Sequence, residues 1–492
     1  MINPSQCSTE LSTDVIIVGA GFSGLGMAIR LQQLRHYRYE VLEKADRVGG
    51  TWRENTYPGV ACDVQSQLYS FSFALNPDWS RSYSGGAEIC AYLQACAEKF
   101  GVMSQIRFQA KLTGARWDGQ AGCWYVEVEG QPVRTCRFLV LATGPLHHAS
   151  IPQLEGAAQF QGPRFHSAHW DHSVDLRGKR VAVIGTGASA IQFVPEVVKQ
   201  AAHVQLWQRT PPWILPKQDR PVAALERTLY RWVPGLQRLH RGLIYALNEL
   251  RVLGFDLYPS WMQFVEKLAL RHLEQQVSEP NLRQKLTPSY RLGCKRILVS
   301  NDYYPAVSQP HVSVHTEGIS RILPHGIVGQ DGVEHPAEVL IYGTGFEVKA
   351  LYQSINLVGE GGQNIQTRWQ HGQEAYLGTM LSGFPNLFML MGPNTGLGHS
   401  SVVFMAEAQI HYIVSALERT RLRHGRSIAV RGEAQSRFNQ ELQKLMRHTV
   451  WLSGCMSWYL DEKGINRTLW PDWSWRFWWR TRRLLGADYV EE

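Results

Sequence analysis

The chain has 492 residues, of which 44% are hydrophobic and 19% are charged. This balance is typical of a folded globular protein and excludes a disordered chain, and the length suits two or three domains. A net charge of +8 could indicate nucleic acid, but Lys and Arg are spread along the chain apart from a cluster near 476–483, so no nucleic-acid partner is predicted.

Membrane and secretion signals are not evident in the sequence. No apolar run approaches the ~18 residues that would span a bilayer, and the polar N-terminus lacks the pattern of a secretory signal. The eight cysteines include no CxxC pair, so we expect a cytoplasmic protein and no metal site.

A phosphate-binding turn follows the first buried strand. The apolar run DVIIVG at 14–19 leads into GAGFSG, where Gly19, Gly21 and Gly24 permit a tight turn, a close approach of pyrophosphate and close helix packing. Glu43 lies nineteen residues after Gly24, at the end of the next strand. A carboxylate there accepts ribose hydroxyls, so this unit should bind FAD or NAD.

The next segment, GGTWRENTYPGVACD at 49–63, is too rich in Gly and aromatic residues for a regular element. Its position directly after a nucleotide-binding unit predicts a loop that covers the cofactor, with Gly50, Thr51 and Trp52 as contacts. Asp63 places a carboxylate near the redox centre. Taken alone, Asp63 would be interpreted only as a turn or helix cap.

A second nucleotide-binding unit repeats the first after an extended linker near residue 150. RVAVIG at 180–185 leads into GTGASA, with Gly185, Gly187 and Ala190 at the three key positions. Arg209 lies nineteen residues after Ala190 and is followed by Thr210. Since a guanidinium attracts phosphate where a carboxylate repels it, this unit should bind NADP(H).

The remaining chain completes both units. Apolar residues at helical spacing predict a helical insertion at 217–290, whose apolar and aromatic faces we expect to be core first and substrate pocket second. Lys295 and Arg296 then precede a short apolar strand, where adjacent cations are by default solvated surface charges. The fold class is therefore α/β, with two Rossmann-like domains and a helical insertion in the second. We expect FAD-binding parts at 1–149 and 347–492 and NADP-binding parts at 150–216 and 291–346.

The C-terminal segment at 469–486 is rich in Trp and Arg. It could lie on an anionic membrane surface or pack onto the protein body with Arg stacked on Trp. Packing onto the body is the favoured interpretation.

Two long patterns in this chain resemble those of the type I Baeyer-Villiger monooxygenases, within the class B flavin monooxygenases. The first lies between the two glycine turns and consists of Phe160, Gly162, His166, Trp170 and Asp171. The second consists of Gly49, Gly50, Trp52, Tyr57, Pro58, Gly59 and Asp63. The resemblance extends over residues 12–485.

This resemblance implies roles for single residues. Arg296 corresponds to the active-site arginine and Asp63 to the carboxylate that orients it. Lys295, Arg209 and Thr210 correspond to contacts of the NADP phosphate. His166 and Trp170 belong to a linker that couples nicotinamide binding to catalysis.

The implied activity is conversion of a ketone to an ester or lactone with O₂, FAD and NADPH, through a C4a-peroxyflavin. Oxygenation of sulfide or amine heteroatoms is the alternative within enzymes. A flavoprotein disulfide reductase is an alternative of another class, but it requires a paired redox cysteine motif. The ketone and the oligomeric state are not readable from the sequence.

Overall fold

Twenty short strands and thirteen helices make up the part of the chain that the computed structural model describes, residues 11–257, 259–347 and 354–492. The strands are β1 (Thr13–Val18), β2 (Tyr39–Leu42), β3 (Ile106–Arg107), β4 (Leu112–Asp118), β5 (Cys123–Val128), β6 (Arg134–Leu141), β7 (Arg164–His166), β8 (Arg180–Ile184), β9 (His203–Trp207), β10 (Ile214–Leu215), β11 (Leu298–Val299), β12 (Val312–His315), β13 (Ile319–Leu323), β14 (Gly326–Gly329), β15 (Glu334–Pro336), β16 (Val339–Tyr342), β17 (Asn356–Val358), β18 (Leu387–Met389), β19 (Ile428–Val430) and β20 (Tyr489–Glu491). The helices are α1 (Phe22–Leu34), α2 (Thr51–Glu54), α3 (Gly86–Lys99), α4 (Ala190–Val198), α5 (Ala224–Trp232), α6 (Leu236–Glu249), α7 (Met262–Gln276), α8 (Pro280–Leu286), α9 (Tyr303–Val307), α10 (Ile365–Arg368), α11 (Val402–Leu422), α12 (Gly432–Met446) and α13 (Ser474–Arg480).

The first sheet has eight strands in the order β17-β4-β5-β6-β1-β2-β3, with β18 also paired to β6. Strands β6, β1, β2 and β3 run parallel, as does β18 beside β6. Ile16 and Ile17 of β1 are fully buried, because helices such as α1 cover a parallel sheet and make its strands apolar on both faces. Helix α1 packs beside α11.

The second sheet has five parallel strands in the order β12-β9-β8-β16-β7. Helix α4 follows β8, and its buried residues Ile191, Phe193 and Val194 pack in one cluster with Val181 and Val183 of that strand. Helices α5 to α8 lie between β10 and β11, which pair with each other. The predicted fold class, two Rossmann-like units with a helical insertion in the second, is confirmed.

The C-terminal segment packs onto the body through Trp470 and Phe477, which are buried. The Arg482 guanidinium stacks 3.8 Å from the ring centre of Trp478. Among the described helices, none is long and apolar enough to cross a membrane.

A disulfide joins Cys294 to Cys455, which are 161 positions apart. The sequence analysis did not predict this pair, since a separation of that length carries no spacing signal. The bond ties the segment before Lys295 to the segment that precedes Trp458.

Candidate active site

Both glycine turns open onto one cleft of about 1750 Å³. Pockets for single small molecules usually have volumes of roughly 300–1,000 Å³. The cleft is therefore larger than a site for one small molecule and has room for two dinucleotides.

The first glycine turn, at 19–24, leaves a concave backbone surface that any side chain would fill; we call it the first cradle. Gly19 has a φ of +104°, and a Cβ there would lie 2.5 Å from the carbonyl oxygen of Ala142. A Cβ at Gly24 would lie 1.8 Å from the Gly19 carbonyl oxygen, and one at Gly50 would lie 3.0 Å from the Cα of Gly21. Only glycine leaves the backbone open to a pyrophosphate at this turn.

Glu43 is fixed at the end of β2 beside this turn. Its Oε2 accepts a hydrogen bond from the Ala20 N–H at 2.7 Å, and its Oε1 accepts one from the Ala45 N–H at 3.0 Å. Arg53 Nη1 lies 3.1 Å from Oε1. Glu43 is only 4% exposed but lines the cleft, so its carboxylate is positioned before a ligand arrives.

The loop at 49–63 covers this first cradle. It contains the short helix α2, which starts at Thr51. The Trp52 indole N–H donates to the Tyr69 hydroxyl at 3.3 Å, and Thr51 and Trp52 both line the cleft.

The second turn repeats the first with a later helix. Gly185 has a φ of +106°, and a Cβ there would lie 2.5 Å from the Gly343 carbonyl oxygen. Gly187 lines the cleft. Helix α4 begins only at Ala190, whereas α1 begins two residues before Gly24. Ala190, the first residue of this helix, is fully buried.

Two cations meet at the rim of this second cradle. Arg209 is exposed two residues after β9, and both Arg209 and Thr210 line the cleft. Lys295 Nζ lies 4.8 Å from the ring centre of Tyr290. Burial and the nearby charge of Arg209 lower the pKa of Lys295, so this corner has an excess of positive charge suited to an anion.

Arg296 and Asp63 form a bidentate ion pair in the cleft, although 233 positions separate them in the sequence. Arg296 Nε donates to Asp63 Oδ2 at 2.8 Å and Nη2 donates to Oδ1 at 2.9 Å. The carboxylate raises the pKa of Arg296. The Arg296 side chain is still 35% exposed, so part of a permanently charged guanidinium faces the cleft.

The segment between the turns lies against the edge of the second sheet. Phe160 is buried, and a Cβ at Gly162 would lie 2.1 Å from the Glu338 carbonyl oxygen. His166 ends β7 with its ring centre 5.8 Å from that of Phe346, which lines the cleft. Burial lowers the pKa of His166 to about 4, so this imidazole is neutral at neutral pH.

Trp170 connects this segment to the loop of the first unit through aromatic contacts. Its ring centre lies 5.3 Å from that of Phe193 on α4, and Phe193 lies 6.0 Å from Tyr57. Asp171 caps a turn by accepting hydrogen bonds from the Ser173 N–H at 2.9 Å and hydroxyl at 2.6 Å. These linker residues do not line the described part of the cleft; they contact it through Phe346 and Phe193.

Comparison with known proteins identifies the family. A family model for pyridine nucleotide-disulphide oxidoreductases matches residues 16–229. A Baeyer-Villiger monooxygenase of Pseudomonas aeruginosa is 47% identical over 477 residues, which cover 96% of this chain and 90% of the relative. The chain belongs to the type I Baeyer-Villiger monooxygenases.

Solved structures of monooxygenases have the same fold. A steroid monooxygenase bound to NADP is 27% identical, with a TM-score of 0.86 and coverage of 97% of this chain and 99% of that one. The structure called OTEMO, in complex with FAD and NADP, has a TM-score of 0.89 at 23% identity and covers 98% of this chain and all of that one. Because the chain belongs to the Baeyer-Villiger monooxygenases, the alternative activity, oxygenation of sulfides or amines, is not favoured.

Two residues that line the cleft were not predicted from the sequence. Gln192 on α4 accepts a hydrogen bond from the Tyr57 hydroxyl at 3.0 Å and donates to the Ala61 carbonyl at 3.0 Å. Buried Tyr459 lies beside Arg296, and burial raises its pKa to about 12. Neither stands in a motif, and only the folded chain brings them to the cleft.

Proposed function

We propose that the chain inserts one oxygen atom of O₂ beside a ketone carbonyl, giving an ester or lactone, at a site centred on Arg296. The chain is an NADPH-dependent flavoprotein monooxygenase with FAD and NADP(H) as its cofactors. The assignment of each cofactor to a cradle, and of a role to each residue, is the proposal.

FAD is assigned to the first cradle. Gly19, Gly21 and Gly24 leave room for a pyrophosphate at the start of α1, where backbone N–H groups and the helix dipole favour anions. The prepositioned carboxylate of Glu43 accepts hydrogen bonds from ribose hydroxyls. Gly50, Thr51 and Trp52 cover the cofactor.

NADPH is assigned to the second cradle. Gly185, Gly187 and Ala190 border the pyrophosphate at the start of α4. The 2′-phosphate belongs at the corner of Arg209, Thr210 and Lys295, where an excess of positive charge favours NADPH over NADH.

Arg296 provides the fixed positive charge for the oxygen transfer. FAD, when bound and reduced by NADPH, supplies electrons and activates O₂. Arg296 then stabilises the negative charge that develops on the ketone oxygen as the carbonyl is attacked. Asp63 holds the guanidinium in place by its two hydrogen bonds, so little reorganisation is needed at that moment.

The Arg296–Asp63 pair is the observation that carries this proposal. We expect Arg296→Ala to lower ester formation by about a hundredfold or more, because one preorganised charge is lost. Anaerobic bleaching of the flavin absorbance by NADPH should persist, since Arg296 is not assigned to the 2′-phosphate. Asp63→Ala should also lower ester formation, by a smaller factor, and should leave flavin reduction by NADPH intact.

Arg291→Ala is the matched control, because Arg291 is an exposed arginine five positions away in the same segment. Ester yield from a panel of ketones and sulfoxide yield from a sulfide are measured together. Full ketone oxidation by Arg296→Ala, or oxidation of the sulfide alone by the wild type, would contradict the proposal.

The domain bounds are part of the proposal. Residues 1–149 and 347–492 form the FAD-binding unit, 150–216 and 291–346 the NADP-binding unit and 217–290 the insertion. Of these, residues 1–10, 258 and 348–353 lie outside the described residues. We place the protein in the cytoplasm, where NADPH is available, with a small-molecule ketone and O₂ as its partners.

A further inference from the structure

The insertion helix α6 turns its leucine side to solvent and its polar side to the protein. Leu239, Leu243 and Leu247 recur at intervals of four residues and are 71%, 57% and 57% exposed. An amphipathic helix of a globular protein ordinarily buries such a stripe. In α6 the relation is inverted.

The buried side of α6 is held by hydrogen bonds. Gln237 donates to the Asn76 carbonyl at 2.6 Å, and Arg241 Nη1 donates to the carbonyls of Gln67 and Leu68, both at 2.9 Å. The orientation of α6 is therefore fixed by polar contacts, and its leucines are left unpartnered on the described surface.

Helix α5 has the same inverted arrangement next to α6. Leu225, Leu229 and Trp232 form one exposed stripe, while Tyr230 on the other side donates to Glu226 at 2.7 Å and contacts His240 of α6. Helices α5 and α6 contact each other, and both expose their leucines to solvent.

Helix α13 contacts the end of α6 and carries exposed tryptophans and positive charge. Its Ser474 N–H and hydroxyl donate to Glu249 at the end of α6, at 3.0 and 2.6 Å. Trp475 and Trp479, four residues apart, are 47% and 55% exposed. The segment 474–485 carries four arginines and no acidic residue.

We propose that the exposed apolar face of α5, α6 and α13 docks this protein on an anionic lipid bilayer. Leucine and tryptophan stripes on helices lying in the interface, with arginines beside them, are the composition that binds lipid headgroups and the upper acyl region. Monomeric soluble proteins rarely leave an apolar surface of this extent without a partner.

Charge decides between a bilayer and a second copy of the chain. In a two-fold symmetric dimer the same patch meets itself, so the arginines of both copies would be brought together, and Asp472 beside them is already paired with Arg476 at 3.2 Å. Anionic headgroups neutralise this charge. A bilayer therefore fits the face better than self-association.

Co-sedimentation of the full-length protein with vesicles tests this proposal. We expect binding to phosphatidylcholine vesicles that contain phosphatidylglycerol, weak binding to pure phosphatidylcholine, and release by salt. The affinity of the variant L239Q/L243Q/L247Q for these vesicles should be lower by about tenfold or more, because its apolar stripe is lost. R480Q/R483Q should lose the preference for anionic vesicles.

The matched control is V133Q/V333Q/L445Q, which replaces three exposed apolar residues on elements other than α5, α6, α13 and the helix α11 beside α13 and should bind as the wild type does. Circular dichroism verifies that each variant is folded. Equal binding by the leucine variant and the wild type would overturn the proposal. The proposal would also be overturned if the wild type did not bind vesicles and was a dimer, while the leucine variant was a monomer.

Discussion

Gln192 accepts a hydrogen bond from the Tyr57 hydroxyl at 3.0 Å, and this contact joins helix α4 of the second nucleotide-binding unit to the loop that covers the first cradle. The same amide donates to the Ala61 carbonyl. A Cβ at Gly59 would lie 2.6 Å from the Gln192 carbonyl oxygen. The loop and the helix are thus fitted closely to each other.

Gln192→Ala should disturb the transfer of reducing equivalents between the two units. We expect slower flavin reduction by NADPH in stopped-flow absorbance, and a loss of stability of about 1–3 kcal/mol from the unpaired polar groups left behind. Gln200→Ala, an exposed glutamine just beyond the end of α4, should change neither. Equal reduction rates in both variants would show that the bridge is only structural.

The phosphate corner should make NADPH use depend on pH. The pKa of Lys295 is lowered by burial and by Arg209, so Lys295 loses its charge at a lower pH than a free lysine and the KM for NADPH should then rise. Arg209→Ala removes the nearby like charge and should raise the pKa of Lys295, moving that rise to higher pH.

At neutral pH Arg209→Ala should also increase the KM for NADPH about tenfold or more, through the loss of a charge-assisted hydrogen bond. The KM for NADH, which lacks the 2′-phosphate, serves as the control and should hardly move. If the KM increased equally for NADPH and NADH, Arg209 would not be a contact of the 2′-phosphate.

Gly162→Ala should destabilise the edge of the second sheet. The new Cβ would lie 2.1 Å from the Glu338 carbonyl oxygen, and relieving that overlap costs about 1–3 kcal/mol. Thermal unfolding measures the loss. Gly242→Ala in helix α6, where a Cβ meets nothing within 4 Å, should instead stabilise the protein by about 0.5–1 kcal/mol. Similar effects for both would contradict the contact.

Cys455→Ser should lower the melting temperature, because the disulfide to Cys294 closes a loop of 161 residues. Cross-links of this kind contribute about 2–4 kcal/mol. A reductant should bring the wild type down to the melting temperature of the variant and leave the variant unchanged. If the reductant has no effect on the wild type, the two cysteines are unpaired in solution.

The parts of the site that lie close together in the sequence were predictable. Gly19 and Glu43 in the first unit, and Gly185 and Arg209 in the second, follow from local strand-turn-helix patterns with a fixed offset. Those patterns report backbone geometry over a few tens of residues, and the structure repeats them.

Contacts between distant segments were not predictable in this way. Gln192 and Tyr57 are 135 positions apart, and their hydrogen bond depends on how the two units meet. The expectation that the apolar faces of the insertion are core is wrong for α6, whose leucines are exposed. Its opposite side is held by polar contacts such as those of Arg241, which helical spacing alone does not reveal.

The strand order of the first sheet sets the order in which the protein can be completed during synthesis. Strands β17 and β18 pair with β4 and β6, yet they follow the whole second sheet in the chain. The ribosome therefore completes the unit of the second sheet before the first sheet has its last two strands. The second unit can finish folding first, and the newly made first unit must keep an unpaired edge beside β6 until residue 389 has emerged.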